Sequence, residues 1–258
     1  MPPLSRSTLL IVVLAVLSTT TMDALGLSMF SAFTLLAMIP LYWLMTRHRW
    51  DDWGLRWGAP GDYGLALLYP LFVMGSLALL LLVTGTDLGD TDWSAAGRGF
   101  AVVAGATIIG SLITEEGFFR GTLFAAARKD GLTTRQTVVF TALVFAAWHI
   151  SWATLSEEGR VDLSILPVYL CNAALLGAAW GLLRAQSGSV LVASVSHGIW
   201  NGAAYTLFGF GSSSGLLAVS NPLWLDPERG LVAVALNGVY VAWLWRRLSR
   251  PPVAGGAH

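Results

Sequence analysis

The stretch "GFAVVAGATIIGSLITEEGFFRGTLFAAA", residues 99–127, is apolar over a length that exceeds the about 20 residues a helix needs to cross a membrane. Three ionisable residues interrupt it, namely Glu115, Glu116 and Arg120. An ionisable side chain at membrane depth is costly, so such groups pair with one another or mark a functional site. The stretch therefore predicts a transmembrane helix that carries a polar cluster.

The composition of the whole chain supports a membrane protein. Of its 258 residues 55% are hydrophobic and only 12% are charged, whereas soluble domains carry roughly 25% charged residues. Basic and acidic residues balance to a net charge of zero, so the electrostatic footprint of a nucleic-acid-binding protein is missing and no nucleic-acid partner is expected. The composition predicts a polytopic protein whose constant partner is the lipid bilayer.

Apolar stretches of spanning length recur along the chain. The predicted spans are residues 7–24, 26–46, 63–86, 99–127, 136–155, 164–184, 189–210 and 230–248. The gaps between them are too short for a soluble domain. We therefore predict an all-α fold, a transmembrane helical bundle of about eight spans that forms a single membrane-embedded domain over residues 1–258.

The basic residues of the loops predict the orientation of this bundle. If the N-terminus is cytoplasmic, most of them lie on the cytoplasmic side. That group comprises Arg6, Arg47, Arg49, Arg56, Arg128, Lys129, Arg135, Arg184, Arg246, Arg247 and Arg250, whereas Arg98, Arg160 and Arg229 lie outside. We predict that both termini are cytoplasmic. The preference for arginine over lysine suggests a GC-rich genome, and we expect the plasma membrane of a bacterium.

Polar residues in spans four, five and seven are predicted to meet at one depth. Span five carries His149, and span seven carries His197 and Asn201. Counted from the arginine at the cytoplasmic end of each span, Glu115, His149 and His197 each lie roughly 20 Å deep, at a rise of 1.5 Å per residue. We expect three helices to deliver their polar side chains to a common level, at the middle of the membrane or on its cytoplasmic side.

Helical spacing predicts which of these side chains share a face. Glu116 and Arg120 are four residues apart, so they can form an ion pair along one helix. Glu115 is rotated by about 100° and can face a different neighbour. His197 and Asn201 are also four apart and point the same way. Small residues that permit close helix approach flank these positions, namely Gly117, Gly121, Gly198 and Gly202.

A carboxylate beside imidazoles indicates hydrolysis. Glu115 could take a proton from water as a general base, while His197 and Asn201 could donate hydrogen bonds to the oxyanion that forms when the water attacks a carbonyl. Alternatively, Glu115, His149 and His197 could hold a divalent metal such as zinc, as in metalloproteases. Both alternatives predict hydrolysis of an amide bond within the membrane.

Three short motifs carry a family resemblance. Residues 115–120 read "EEGFFR", residues 145–149 read "FAAWH" and residues 197–201 read "HGIWN". In this order they resemble the EExxxR, FxxxH and HxxxN motifs of the CAAX protease and bacteriocin-processing family, which consists of intramembrane endopeptidases. Residues 99–205 correspond to the core of that family.

The resemblance also implies catalytic roles. It implies that Glu115 activates water together with His149. Glu116 and Arg120 match the pair that supports this arrangement in the family. His197 and Asn201 match the pair that is assigned to stabilisation of the oxyanion. It leaves open whether the reaction uses a metal or a glutamate alone. The expected substrate is a peptide or a membrane protein, and the resemblance does not identify it or say whether it is prenylated.

Two other functional classes remain open. A member of the same family could act as a non-proteolytic scaffold or immunity protein. A proton-coupled transporter would also bury glutamate, arginine and histidine in its spans. The oligomeric state is equally open. Among the remaining polar residues, Asn172 and Asn237 stand alone in their spans and are interpreted as helix contacts, and "WDDWGLRW" at 50–57 is interpreted as an interfacial segment.

Overall fold

The computed structural model describes residues 2–46, 50–86, 88–89, 91–211, 213–217, 219 and 221–248. Arg47, Arg49 and Arg250, which carry part of the predicted orientation, lie outside these residues. The described chain is almost entirely helical, which confirms the predicted all-α class. Its strands are limited to a small antiparallel hairpin, in which β1 (Gly209–Phe210) pairs with β2 (Ser213–Ser214).

The helices follow one another with short connections. The α-helices are α1 (Arg6–Ala24), α2 (Phe33–Thr46), α3 (Trp50–Trp53), α4 (Pro60–Val83), α5 (Trp93–Ile113), α6 (Phe124–Lys129), α7 (Thr134–Leu155), α8 (Leu166–Ser187), α9 (Val190–Leu207), α10 (Pro222–Leu225) and α11 (Leu231–Leu248). A short 3₁₀-helix (Ser28–Phe30) precedes α2, and a π-helix (Gly117–Leu123) lies between α5 and α6.

Local sequence explains where several helices begin and end. The side chains of Ser5, Thr133 and Ser189 accept hydrogen bonds from main-chain N–H groups in the first turns of α1, α7 and α9. Such caps satisfy donors that a helix start would otherwise leave free. Helix α8 ends at Ser187 and is capped by Gly188, whose φ of 68° is accessible to glycine at little cost. The chain can therefore turn directly from α8 into α9.

Six helical segments in the described chain are long and apolar enough to cross a membrane. They are Arg6–Ala24, Ser28–Thr46, Pro60–Val83, Trp93–Lys129, Thr134–Leu155 and Leu166–Ser187. The predicted count of eight spans is not confirmed. The last two predicted spans do form helices, α9 and α11, of 18 residues each. Their polar residues, such as His197 and Asn201 in α9 and Arg246 and Arg247 in α11, make them less apolar than the other six.

Glycines bring α9 against α5 and so help to close the bundle around the motif residues. A Cβ atom at Gly198 would lie 2.6 Å from the carbonyl oxygen of Ala104, and one at Gly202 would lie 2.9 Å from the Ala104 Cβ. Both distances are too short for a side chain, so only glycine permits this approach. The predicted role of these two glycines in close helix packing is confirmed.

The span that carries the first motif is not one continuous α-helix, as the sequence predicted for 99–127. Helix α5 ends at Ile113, Thr114 has the non-helical angles φ −117° and ψ −96°, and the π-helix follows from Gly117. Single π-turns inside a helix are rare and often lie at functional sites. The carbonyl groups of this turn find donors elsewhere, because Trp53 Nε1 donates to Gly117 O at 2.6 Å and Arg184 Nε donates to Arg120 O at 3.0 Å.

The interpretation of residues 50–57 as an interfacial segment was wrong for its central tryptophan. Trp53 is buried, and its indole lies against the π-helix, where a Cβ on Gly121 would come within 2.1 Å of Trp53 Nε1. Trp57 is 81% exposed and fits the interfacial interpretation. The segment therefore packs one tryptophan into the bundle behind the motif and leaves the other at the surface.

Candidate active site

A buried ionic cluster joins the first and third motifs. Oε1 of Glu116 lies 3.2 Å from Nη1 of Arg120 and 3.0 Å from Nδ1 of His197. The side chains of Glu116 and Arg120 are fully buried, and that of His197 is 6% exposed. The predicted ion pair is present, and its glutamate also holds the histidine of α9. The sequence did not indicate this second contact.

Aromatic rings and a main-chain carbonyl complete the surroundings of Arg120. Its Nη2 donates to Gly177 O at 3.1 Å, and its guanidinium lies 4.5 Å from the centroid of the Phe145 ring. Cations are attracted to aromatic faces, especially where water is excluded. Phe145 is the first residue of the second motif, so Arg120 links all three motifs.

The orientation of His149 fixes which of its nitrogens is free. Its Nδ1 lies 2.8 Å from Phe145 O, one turn earlier in α7. A carbonyl oxygen can only accept, so Nδ1 carries the proton and Nε2 of the neutral ring is an acceptor. The side chain is thus prepared to accept a hydrogen bond from water at Nε2.

His197 is held by different contacts. Its ring stacks on Trp180, with the centroids 4.0 Å apart, and its Nδ1 faces the Glu116 carboxylate. With Nδ1–H donating to Glu116, Nε2 becomes a donor only when the ring carries two protons.

A cavity of about 220 Å³ lies beside this cluster. Four of the six predicted catalytic residues line it, namely Glu115, His149, His197 and Asn201. Glu116 and Arg120 do not line it, because they are buried behind it. The structure therefore brings residues of α7, of α9 and of the turn after α5 around one space. It also separates the two adjacent glutamates, one toward the cavity and the other toward the ionic cluster.

The outer part of the cavity contains residues that the sequence did not reveal. Tyr169 of α8, Tyr205 of α9 and Glu228 from the loop before α11 line it beside Trp152. Glu228 lies outside the three motifs, and an acidic residue in a loop is common, so no local signal distinguished it. Its place at the cavity depends on how the loop before α11 packs against α8.

The loop that carries Glu228 is anchored by a buried chain of hydrogen bonds. Asn172 Nδ2 donates to Pro227 O at 2.8 Å and to Glu228 O at 3.1 Å. Asn237 Nδ2 donates to Asn172 Oδ1 at 2.7 Å, and the Tyr69 hydroxyl donates to Asn237 Oδ1 at 2.7 Å. The interpretation of both asparagines as helix contacts is confirmed, and their contacts also fix the position of this loop.

The charge surroundings of Glu228 disfavour its ionised form. Removal from water raises the pKa of the Glu228 carboxyl, as do the neighbouring carboxylates of Asp226 and Glu115, whereas Arg229 and His197 act in the opposite direction. The balance raises this pKa from 4.5 to about 7. A cationic ligand beside Glu228 would stabilise its charged form.

The arrangement of the predicted metal ligands decides whether a metal ion would fit them in this structure. In the described part of the chain, no three His, Cys, Asp or Glu side chains are grouped so that they could hold a metal ion. Glu115, His149 and His197 therefore do not form a ligand cluster in this conformation. Each histidine does have a partner on Nδ1, which is common for metal-bound histidines.

The fold and this site define an integral membrane protein, a helical bundle with a polar cavity lined from several helices. Residues 97–203 match the family model described as Type II CAAX prenyl endopeptidase Rce1-like. This segment is therefore similar to the Rce1-like family, which is a protease family. The match confirms the resemblance that the three motifs indicated. No curated protein and no solved structure is significantly similar to the chain.

Proposed function

We propose that the chain is an intramembrane endopeptidase in which Glu115 activates the attacking water. The observation that carries this proposal is the shared cavity, in which Glu115, His149, His197 and Asn201 face one space while Glu116 and Arg120 lie behind it. The match of residues 97–203 to the model of a protease family supports the same class of reaction.

In the first step, water lies between Glu115 and His149. Nε2 of His149 accepts one hydrogen bond from the water and orients it, and the Glu115 carboxylate takes the proton as the oxygen attacks the peptide carbonyl. A tetrahedral intermediate with a negatively charged oxygen results. A base works best near the proton that it removes, and both side chains line the cavity where the peptide would bind.

In the second step, His197 and Asn201 stabilise the oxyanion. The Asn201 amide donates directly, and Nε2–H of His197 donates when the ring carries two protons, while Glu116 holds the ring at Nδ1. The proton held by Glu115 then passes to the leaving nitrogen, the C–N bond breaks, and the products are a carboxylic acid and an amine. Arg120 holds Glu116 in place throughout.

A divalent metal such as zinc stays a prediction. A metal held by Glu115, His149 and His197 would require these side chains to draw closer, and it would polarise the water or the carbonyl. Both variants of the reaction use the same residues. We further propose that the protein acts in a bacterial plasma membrane with both termini cytoplasmic, and that it cuts a peptide or a membrane protein.

The proposal is tested with Glu115→Gln, which removes the base and keeps the shape of the side chain. Host cells carry wild type, this variant or Glu157→Gln at matched expression, and the termini of their membrane proteins are compared. We expect new termini with wild type and with the control Glu157→Gln, because Glu157 lies in an exposed loop. With Glu115→Gln the abundance of these termini should fall by a factor of roughly a hundred or more. Repeating the comparison on isolated membranes treated with a chelator decides whether a metal takes part.

Identical termini in all three strains would contradict the proposal. A host phenotype that survives Glu115→Gln would then favour the scaffold or immunity role. Proton or solute flux in liposomes that is lost in Glu115→Gln would favour the transporter.

A further inference from the structure

We infer that the outer part of the cavity binds a cationic group of the substrate and that Glu228 is the residue that selects it. The group is a lysine or arginine side chain, or a free amine, of the peptide to be cut. In this respect the inference rests on the proposed function. Glu228 would thus determine specificity, and the chemistry would remain with Glu115 and the histidines.

The described lining of the cavity is acidic, although Arg229, the neighbour of Glu228 in the chain, contributes a positive charge close to it. Two carboxylates, Glu115 and Glu228, line the cavity, and among its described lining residues there is neither lysine nor arginine. The buried cation Arg120 is engaged by Glu116. A third carboxylate, Asp23, lies one turn after the lining residue Thr19 on the buried face of α1, and neither of its oxygens has a hydrogen-bond partner in the described chain. A negative potential in a cavity of low dielectric attracts a cation strongly.

Aromatic rings surround the same part of the cavity. Phe210 stacks on Tyr205 with their centroids 4.3 Å apart, and Trp152 stacks on Phe210 at 6.2 Å. Tyr169 approaches from α8, with its ring 6.2 Å from that of His149. Aromatic faces attract ammonium and guanidinium groups, and several of them together with a carboxylate form a typical site for such cations.

Hydrogen bonds fix the main chain of Glu228, whereas its side chain faces the cavity. The carbonyl of Glu228 accepts from Asn172, and its N–H donates to Asp226 Oδ1 at 2.8 Å. In the described structure the hydrogen bonds of this residue all go through its main chain. A carboxylate that served only to stabilise the fold would be expected to have a partner of its own, because an unpaired charge in a partly buried site costs free energy.

An acidic or wholly apolar substrate would leave both carboxylates without a partner when it displaced water from the cavity. A basic residue near the scissile bond would instead pair with Glu228, and its apolar neighbours would lie against the rings. The structure therefore favours peptides that combine apolar residues with one positive charge.

The test measures binding and does not depend on cleavage. Purified full-length protein in detergent at pH 8 is titrated by calorimetry with three N-acetylated, C-amidated leucine-rich peptides that differ at one central residue, Lys, Gln or Glu. We expect wild type and Glu157→Gln to bind the Lys peptide about tenfold more tightly than the Glu peptide. In Glu228→Gln this ratio should fall to about two or less, in Glu228→Lys it should invert, and Glu228→Asp should retain most of it.

Equal affinity for the three peptides in wild type, or no binding of any of them, would overturn the inference. So would a ratio that Glu228→Gln leaves unchanged. Thermal unfolding of each variant identifies a loss of folding. If Glu228→Gln does not fold, Glu228→Lys and Glu228→Asp test independently whether Glu228 determines the charge preference. Selective binding together with termini that do not depend on Glu115 would contradict the proposed function and leave the cation site in place. Termini that depend on Glu115, together with peptide binding that shows no charge preference, would contradict the cation site and leave the proposed function in place.

Discussion

The inner wall of the cavity and its outer rim hold their carboxylates in opposite ways. At the inner wall, Glu116 is fully buried, and one of its oxygens is shared by Arg120 and His197. At the outer rim, Glu228 is anchored through its main chain and its side chain is left to the cavity. The first arrangement fixes the geometry of the site, whereas the second leaves a charge available to a ligand. The difference teaches that an acidic residue becomes a candidate for binding when its surroundings leave it without a partner.

The same contrast separates two residues that are adjacent in the chain. Glu115 is partly exposed and lines the cavity, while Glu116 is turned into the ionic cluster. Neighbouring positions on a helix point about 100° apart, so two glutamates in succession serve two environments. In the proposed mechanism, the motif thus supplies one carboxylate for chemistry and one for support.

Replacement of Arg120 is expected to have the largest effect, because it disrupts the ionic cluster at the inner wall. Arg120→Met keeps much of the volume and leaves Glu116 buried without its cation, so we expect a loss of about 3–5 kcal/mol in the free energy of unfolding. Denaturation of the purified protein in detergent measures this loss. The matched control is Arg98→Met, because Arg98 is exposed. Equal stability of wild type and Arg120→Met would mean that the ion pair does not stabilise the fold.

Loss of the loop anchor should disturb the outer rim and leave the inner wall intact. Asn172→Leu removes the donor for Pro227 O and Glu228 O and leaves Asn237 Nδ2 unpaired. We expect a loss of about 2 kcal/mol in the free energy of unfolding and a weaker preference for the Lys peptide. Cys171→Ala, a change at the exposed neighbouring position, serves as control. An unchanged peptide preference in a destabilised Asn172→Leu would show that the loop does not position Glu228 for binding.

The smallest expected effect is a pH dependence of stability at the outer rim. Because the pKa of Glu228 is raised from 4.5 to about 7, its charge destabilises the folded state as the pH rises through this range. Glu228→Gln should therefore gain stability relative to wild type between pH 4.5 and 7 and hold that gain at pH 8. We expect about 1 kcal/mol, since solvent reaches this partly exposed side chain. Thermal unfolding of both proteins at pH 5 and pH 8 measures the gain. A difference in stability between the two proteins that is the same at both pH values would contradict the prediction.

Predictions made within one helix were more successful than those made between helices. The spacing of Glu116 and Arg120 predicted their ion pair, because residues four apart on a helix are neighbours whatever surrounds them. The contact of Glu116 with His197 joins positions 81 residues apart and depends on how α9 packs. Trp53 gave a similar difficulty, because the sequence of residues 50–57 favoured an interfacial segment, whereas the burial of Trp53 depends on the π-helix behind it.

The sequence by itself determined the membrane class, the helical fold, the three motifs and the residues proposed for catalysis, because apolar length and helical periodicity are local properties of the chain. Only the tertiary structure decided that the first motif lies on a π-helix, that Glu116 is shared between two helices and that Glu228 lines the cavity. These features depend on contacts between distant segments. Such contacts form only when helices pack at a particular distance and rotation, which the periodicity of one segment does not specify.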